Sequence, residues 1–422
     1  MTHRLFPLLL AAAAATTATA QTLNVTQGSV TYSYRQDAVG TMTYTDGNSL
    51  TIGGRNYALS QVDRMTVDPA GSVTDHTVSI VYGGATAAVT VAGNLAAALT
   101  VDVSGADVTI HNTDTTQAVT YTLSGTSADG QLLLYGEKKA TLVLNGLDLT
   151  NTDGPAINNQ CGKSLYVLCP AGTVSTLTDG TAYADTYHNG TAIDQKGALF
   201  SEGQIYFQGD GTLNVNGNAK NAIASDDYIV IDEGAGITVN AVAARTGSNG
   251  VKANDGMFIY GGTLNIDVAA DGAKGIKCDS LMTMTAGTLS VRTTGASIIE
   301  TDAATGLRDT SSCAGIKVAG LLTLSGGNIT LNSTGEGGKG INADSDIVMT
   351  GGTLNAICTG EKDLSNPKAV KSDTYIYVSG GSFTAQSTNG RATDCATTDR
   401  YPTVVGTPAT LTRTKKKVEI VF

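Results

Sequence analysis

Residues 250–269 read GVKANDGMFIYGGTLNIDVA, and residues 337–360 read GGKGINADSDIVMTGGTLNAICTG. The same line recurs down most of the chain. Aligned on the small residue that opens it, the copies begin at Ala198, Ala222, Gly250, Gly275, Gly315, Gly340 and Ala369, in steps of 24, 28, 25, 40, 25 and 29 residues. A minimum period near 25 with occasional longer copies is the signature of a solenoid, in which insertions leave the stack at one corner.

Each copy holds two short alternating runs. After a small pair such as Gly261-Gly262 come Leu264 and Ile266, then in later copies Leu289 and Val291, Ile329 and Leu331, Leu354 and Ala356, Phe383 and Ala385. Asn, Thr, Ser and Gln fill most positions between them. Before the pair, Met257 and Ile259, Met282 and Met284, Leu322 and Leu324 repeat the pattern. Period two means strands with one buried face. Equivalent positions recur in one chain direction, so successive copies stack as parallel strands rather than hairpins. The expectation is an all-β, parallel β-helix, right-handed because parallel crossovers nearly always are. Composition agrees at one point: 51 Gly and no Trp suit a narrow core with tight corners.

The flanks read differently. MTHRLFPLLLAAAAATTATA carries Arg4, an apolar stretch and Ala18-Thr19-Ala20, the pattern of a secretory signal cleaved before Gln21. Export to the periplasm, cell surface or medium is therefore expected, and no later stretch has the length of a transmembrane helix. Residues 21–98 alternate, with hairpin-like turns at Asp46-Gly47 and Gly83-Gly84, and read as a small β module capping the solenoid. The β-helix is expected over 99–412, and the basic residues Arg413, Lys415, Lys416 and Lys417 mark a terminal strand or tail over 413–422. Without the signal the chain keeps 25 basic against 37 acidic residues, net −12, which argues against a nucleic-acid partner. Six Cys in an exported chain allow 15 disulfide pairings, and unpaired core thiols stand equally open.

Polar residues stack beside each opening. Two positions after it stand Ala224, Lys252, Lys277, Lys317, Asn342 and Lys371. Four positions after it stand Asp226, Asn254, Asp279, Ala319, Asp344 and Asp373, and one position before it Asn221, Asn249, Lys274, Ala314, Lys339 and Lys368. Such columns form either a solvated ladder of surface ion pairs, each worth little, or a groove for an extended anionic chain. In the second reading Lys252, Lys277, Lys317 and Lys371 meet carboxylates. Tyr187 and His188, in the longest early insertion, add ligand contacts. Asp153, Asp179, Asp194, Asp226, Asp227 and Asp255 are the candidate Ca²⁺ ligands, since calcium takes six to eight oxygens. No EF-hand or nonapeptide calcium spacing is present, and no nucleophile, Walker or dinucleotide motif sits in a fitting context.

The segments ATLVLNGLDLTNTDGPAINN, GTVSTLTDG, GTLNVNGNAKNAIASDDYIVI and GVKANDGMFIYGGTLNI, in that order, resemble the bacterial carbohydrate-binding-domain-containing family. The resemblance spans about 99–412. It implies an exported right-handed β-helix similar in shape to pectate lyases, calcium-binding, with polysaccharide, acidic in particular, as partner and without catalysis. By analogy with lyases of that shape, Lys252 or Lys277 could instead abstract a uronate C5 proton beside a calcium cluster. The chain lacks the compact cluster of several Asp around one such Lys. A structural surface adhesin is the third reading, since fold alone does not fix function.

Overall fold

The computed structural model describes residues 21–69, 71–301 and 305–422, so the expected signal segment lies outside the described residues. The chain forms two compact units. The smaller comprises residues 21–75 and 91–97. Thr22–Gln27 pairs antiparallel with Val30–Arg35 and with Arg64–Asp68. A meander of Thr43–Thr45, Ser49–Ile52 and Arg55–Ala58 turns first over the three residues Asp46, Gly47 and Asn48, where Asp46 and Gly47 both have positive φ and the Asn48 N–H donates to the Thr45 carbonyl at 3.2 Å. Its core is built on Tyr32, Tyr34, Ile52 and Tyr57, with the Arg55 guanidinium 4.0 Å above the Tyr32 ring.

The larger unit comprises residues 76–90 and 98–422. Residues 76–90 fall within this unit. Thr77–Gly83 lies parallel to Val119–Ser127, and its alternating Val78, Ile80 and Tyr82 are all buried. Downstream the chain is a parallel β-helix. One coil consists of an opening strand Asn249–Ala253, a middle strand Gly256–Ile259 and a closing strand Thr263–Val268. Every coil pairs in register with the next: Val251 with Ile276 with Ile316 with Ile341 with Val370, and Leu264 with Leu289 with Ile329 with Leu354 with Phe383. These residues are buried to within 2% and form the core. The opening strand is the element that alternation alone does not reveal. It is five residues long and begins on a polar and a small residue, so a period-two count finds only two runs per copy.

Two glycine columns make the stack possible. At the corner before the closing strand, Gly262, Gly287, Gly327, Gly352 and Gly381 all have φ between 63° and 81°. A Cβ on Gly287 would lie 2.3 Å from the Gly261 carbonyl oxygen of the coil beneath, so only glycine serves there. At the openings, a Cβ on Gly250 would lie 2.3 Å from Ile266 Cγ2 across the narrow core.

The long insertions leave between closing and opening strands. Two of them carry antiparallel hairpins, Tyr187–His188 with Thr191–Ala192 and Ile298–Thr301 with Arg308–Ser311. At the far end Lys417–Val421 pairs antiparallel with the closing strand Ser382–Ser387 and with Thr410–Arg413. All six cysteines are free and buried. No helix among the described residues is long and apolar enough to cross a membrane.

Candidate functional site: a cationic cavity at a break in the lysine column

The opening strands belong to a twelve-stranded sheet that carries the predicted column Ala224, Lys252, Lys277, Lys317, Asn342 and Lys371 in register, with Phe200 on the strand before it and Asp394 on the strand after. Most of its lysines are neutralised by neighbours. Lys252 pairs with Asp279 of the next coil and donates to Asn254 Oδ1 at 2.6 Å. Lys277 stands 3.8 Å from the same Asp279, Lys317 pairs with Asp344, and Lys371 lies 2.5 Å from Asp373. These partly exposed pairs add little stability, and their main effect is to remove free positive charge.

The column one position before each opening departs from the expected surface ladder. Lys274 and Lys339 are buried, at 9% and 7% exposure, because the insertions fold over them. Lys274 Nζ donates to the Gly272 carbonyl at 2.5 Å and to Ser311 Oγ at 2.6 Å. Lys339 Nζ donates to Ser312 Oγ and, at 3.0 Å, to Ser365 Oγ. No carboxylate pairs with Lys339 among the described residues. Burial, helped by Lys368 and Lys371, draws its ammonium down to about 8.

Ala224 interrupts the run of long side chains between Phe200 and Lys252. A cavity of about 560 Å³ opens over it, lined among others by Lys196, Lys220, Arg245, Lys252, Asn249 and Asp226. Lys196 lies 2.6 Å from Asp194 and also contacts Asp226. Burial alone would lower its pKa, but these two carboxylates outweigh it and hold the ammonium above the ordinary lysine range. No carboxylate forms an ion pair with Lys220 among the described residues: its Nζ donates to the Gln195 carbonyl and sits 5.0 Å from the centre of the Tyr183 ring. Burial pushes Lys220 below the usual lysine range, against the pull of Asp194 and with Arg245 and Lys196 nearby. Arg245 is exposed and enters no ion pair among the described residues. Asn249, in the cavity wall, keeps a buried Oδ1 without a protein partner. The cavity therefore offers two cations not balanced by carboxylates, beside two that are.

Of the six predicted calcium ligands the structure brings two together. Asp194 and Asp226 join Glu202, their carboxylate oxygens within 4.8 Å of one another. Burial, then Asp226 and Asp194, push the Glu202 carboxyl above its ordinary range. Asp227 turns the other way and takes a hydrogen bond from Gln204. Asp179 is buried and accepts from Tyr183 Oη at 2.6 Å and from the backbone N–H of Asn218 and Ala219; burial raises its carboxyl against those bonds. Asp153 and Asp255 are exposed and stand apart. Tyr187 is 61% exposed. His188 instead anchors its hairpin: its ring stacks on Tyr135 at 4.2 Å and on His111 at 5.1 Å. Burial, then His188, lower the His111 pKa.

Fold and site together describe a parallel β-helical protein with a charged, open binding surface. Its sequence matches the carbohydrate-binding domain-containing protein family over residues 104–280 and again over 270–363, and the chain belongs to that family. It is 33% identical over 144 residues to a carbohydrate-binding domain-containing protein of Acetivibrio thermocellus, a match covering 33% of this chain. The chain spans about half the length of that curated relative, 49%. Among solved structures, the gadolinium derivative of a polysaccharide lyase-like protein from C. thermocellum superposes with a TM-score of 0.49 and 25% identity, covering 65% of this chain and 96% of that one.

Proposed function

We propose that this protein is an exported, non-catalytic binder of acidic polysaccharide, and that a uronate carboxylate of the ligand sits in the cavity over Ala224. The supporting observation is the pair Lys220 and Arg245, which lack carboxylate partners and stand beside Lys196 and Lys252 in an open cavity. A charge-assisted bond to a carboxylate is roughly twice as strong as a neutral one.

Asp194, Glu202 and Asp226 provide the hard oxygen donors a calcium ion takes. The donor set fits a cation, and Lys196 already stands among it. In this proposal calcium competes with the Lys196 ammonium for the three carboxylates, and when bound it supplies a positive centre for the ligand's carboxylate. Lys252 and Lys277 are both tied to Asp279, which leaves them poor candidates for a free base. Lys220, lowered by burial, is the group a lyase reading would need.

Retention on polygalacturonate, with and without EDTA, tests the proposal. Wild type is expected to bind, more weakly in salt, without accumulation of unsaturated uronate. Lys220→Gln and Arg245→Gln are each expected to weaken binding about tenfold or more. Equal binding by wild type and the double variant would overturn the proposal. Unsaturated product that disappears in Lys220→Gln would replace it with the lyase reading.

A further inference from the structure

The smaller unit ends in an edge strand. Arg64–Asp68 pairs on one side with Thr22–Gln27, and on its other side no strand pairs with it among the described residues. Directly opposite residues of a sheet share a face. The register therefore traces two rows across the unit: Tyr34, Leu23, Val67 and Tyr32, Val25, Met65. Both rows begin in the core. Tyr32, Tyr34 and Val25 are buried to within 1%, Leu23 is half-buried, and Met65 and Val67 are 39% and 59% exposed. The apolar face of the core thus runs out uncovered onto the edge, and all five residues of that strand are exposed. Sheet edges are ordinarily guarded by proline, a bulge or charges that repel a second strand. Residues 64–68, RMTVD, hold no proline, and their register with Thr22–Gln27 runs without a bulge. The two charges, Arg64 and Asp68, stand at opposite ends and have opposite signs. Met42 and Tyr44, 44% and 63% exposed, add apolar surface to the same unit.

We infer that Arg64–Asp68 is a dimerisation edge, which pairs antiparallel with the same strand of a second copy of this chain about a two-fold axis at Thr66. Three observations carry the inference. First, the strand is complementary to its own reverse. Centred on Thr66, Arg64 of each copy lies opposite Asp68 of the other, and Met65 lies opposite Val67. Opposite charges and apolar pairs directly across a sheet are stabilising, and like charges are not. An antiparallel pair can be centred on one residue facing its own copy, whichever way its backbone groups point, and a two-fold axis presents the same patch on both copies. Second, Arg64 enters no ion pair among the described residues, so its charge is available to the second copy. Third, the pairing continues the two apolar rows. Each Val67 gains a Met65 beside it and each Met65 a Val67, which joins the exposed ends of two core faces into one sheet of six strands. A partner of other sequence would have to supply an acidic, an apolar and a basic residue in the reverse order, which this chain already carries. A five-residue edge falls short of the roughly 800 Å² per partner of a stable complex, so the dimer is a reversible one. The inference is independent of the cavity reading, since every cavity residue belongs to the larger unit.

The test is sedimentation velocity of the full chain over a dilution series, which is expected to show a monomer–dimer equilibrium. Arg64→Glu sets like charges opposite each other at both ends and should weaken dimerisation about tenfold or more. Arg64→Glu combined with Asp68→Arg restores opposite signs and should recover it, which damage to the fold would not. Thr66→Cys brings two thiols together on the axis. Ferricyanide, taking one electron from each thiol as its proton leaves to solvent, should link the two copies through a disulfide, and adding Arg64→Glu should suppress the link. The six native thiols are buried and do not compete. A dimer that Arg64→Glu leaves unchanged overturns the inference, as does a charge exchange that fails to recover dimerisation. A wild type that stays monomeric throughout overturns it too, and leaves the edge to a partner of different sequence.

Discussion

Lys339 is a charge held where the fold disfavours it, and its replacement should make the protein more stable. The side chain is 7% exposed, its ammonium bonds Ser312 and Ser365 and no other group among the described residues, and burial draws it from 10.5 to about 8. At 1.36 kcal/mol per pH unit, that depression corresponds to about 3 kcal/mol of destabilisation by the charged form. Between the folded and unfolded pKa values the unfolded chain binds more protons, so stability rises with pH from about 8 to about 10.5. Below that window the full cost is present. Lys339→Met keeps the volume and removes the charge. Ser312 and Ser365 still bond each other at 2.9 Å, and Ser365 donates to the Gly337 carbonyl at 2.7 Å, so little is left unsatisfied. Allowing about 1 kcal/mol for the lost bonds, the variant should gain about 2 kcal/mol at pH 7 and approach wild type near pH 10.5. Paired urea titrations at both pH values, followed by circular dichroism, give the difference directly, and groups common to both proteins cancel. A variant less stable than wild type at pH 7, or a gap that does not change with pH, refutes the reasoning.

Two further outcomes follow from the site. Lys196→Met removes the ammonium from Asp194, Glu202 and Asp226, so calorimetric Ca²⁺ affinity should rise several-fold over wild type; unchanged or weaker binding would show that these carboxylates do not gather around calcium. The hairpin carrying His188 is held by stacked rings, and burial lowers the pKa of His111. The folded state therefore resists protonation there, and anchoring is lost as pH falls from the unfolded value of about 6.5 through the lower folded one; limited proteolysis within 185–192 should accelerate below pH 6, and a flat pH profile would count against it.

The stack was legible because burial in a solenoid imposes one demand on every copy. Leu264, Leu289, Ile329 and Leu354 occupy equivalent inward positions, and a period-two count finds them without coordinates. The lysine column was legible for the same reason. Its neutralisation was less so, because Lys252 and Lys317 reach carboxylates on the next coil, a matter of side-chain length that a list of columns does not contain. The acidic cluster and the cavity needed the alignment carried one coil further back. Glu202 stands four residues after Ala198, just as Asp226 does after Ala222, and Lys196 and Lys220 each stand two residues before an opening. Arg245 comes from an insertion, whose path periodicity does not specify. Lys274 and Lys339 read as surface residues in the sequence for that reason too: the serines that cover them, Ser311, Ser312 and Ser365, belong to insertions of unequal length.

Each coil touches chiefly the one before and the one after, through strands that repeat in register. The molecule's length is therefore a variable rather than a constant. Duplicating the segment from Gly250 to Lys274 would insert one more rung without redesigning any other, lengthening the stack by about 4.8 Å while the break at Ala224 stays unique. A chain built this way can change its reach by counting coils, and it can do so without altering the coil that carries Ala224.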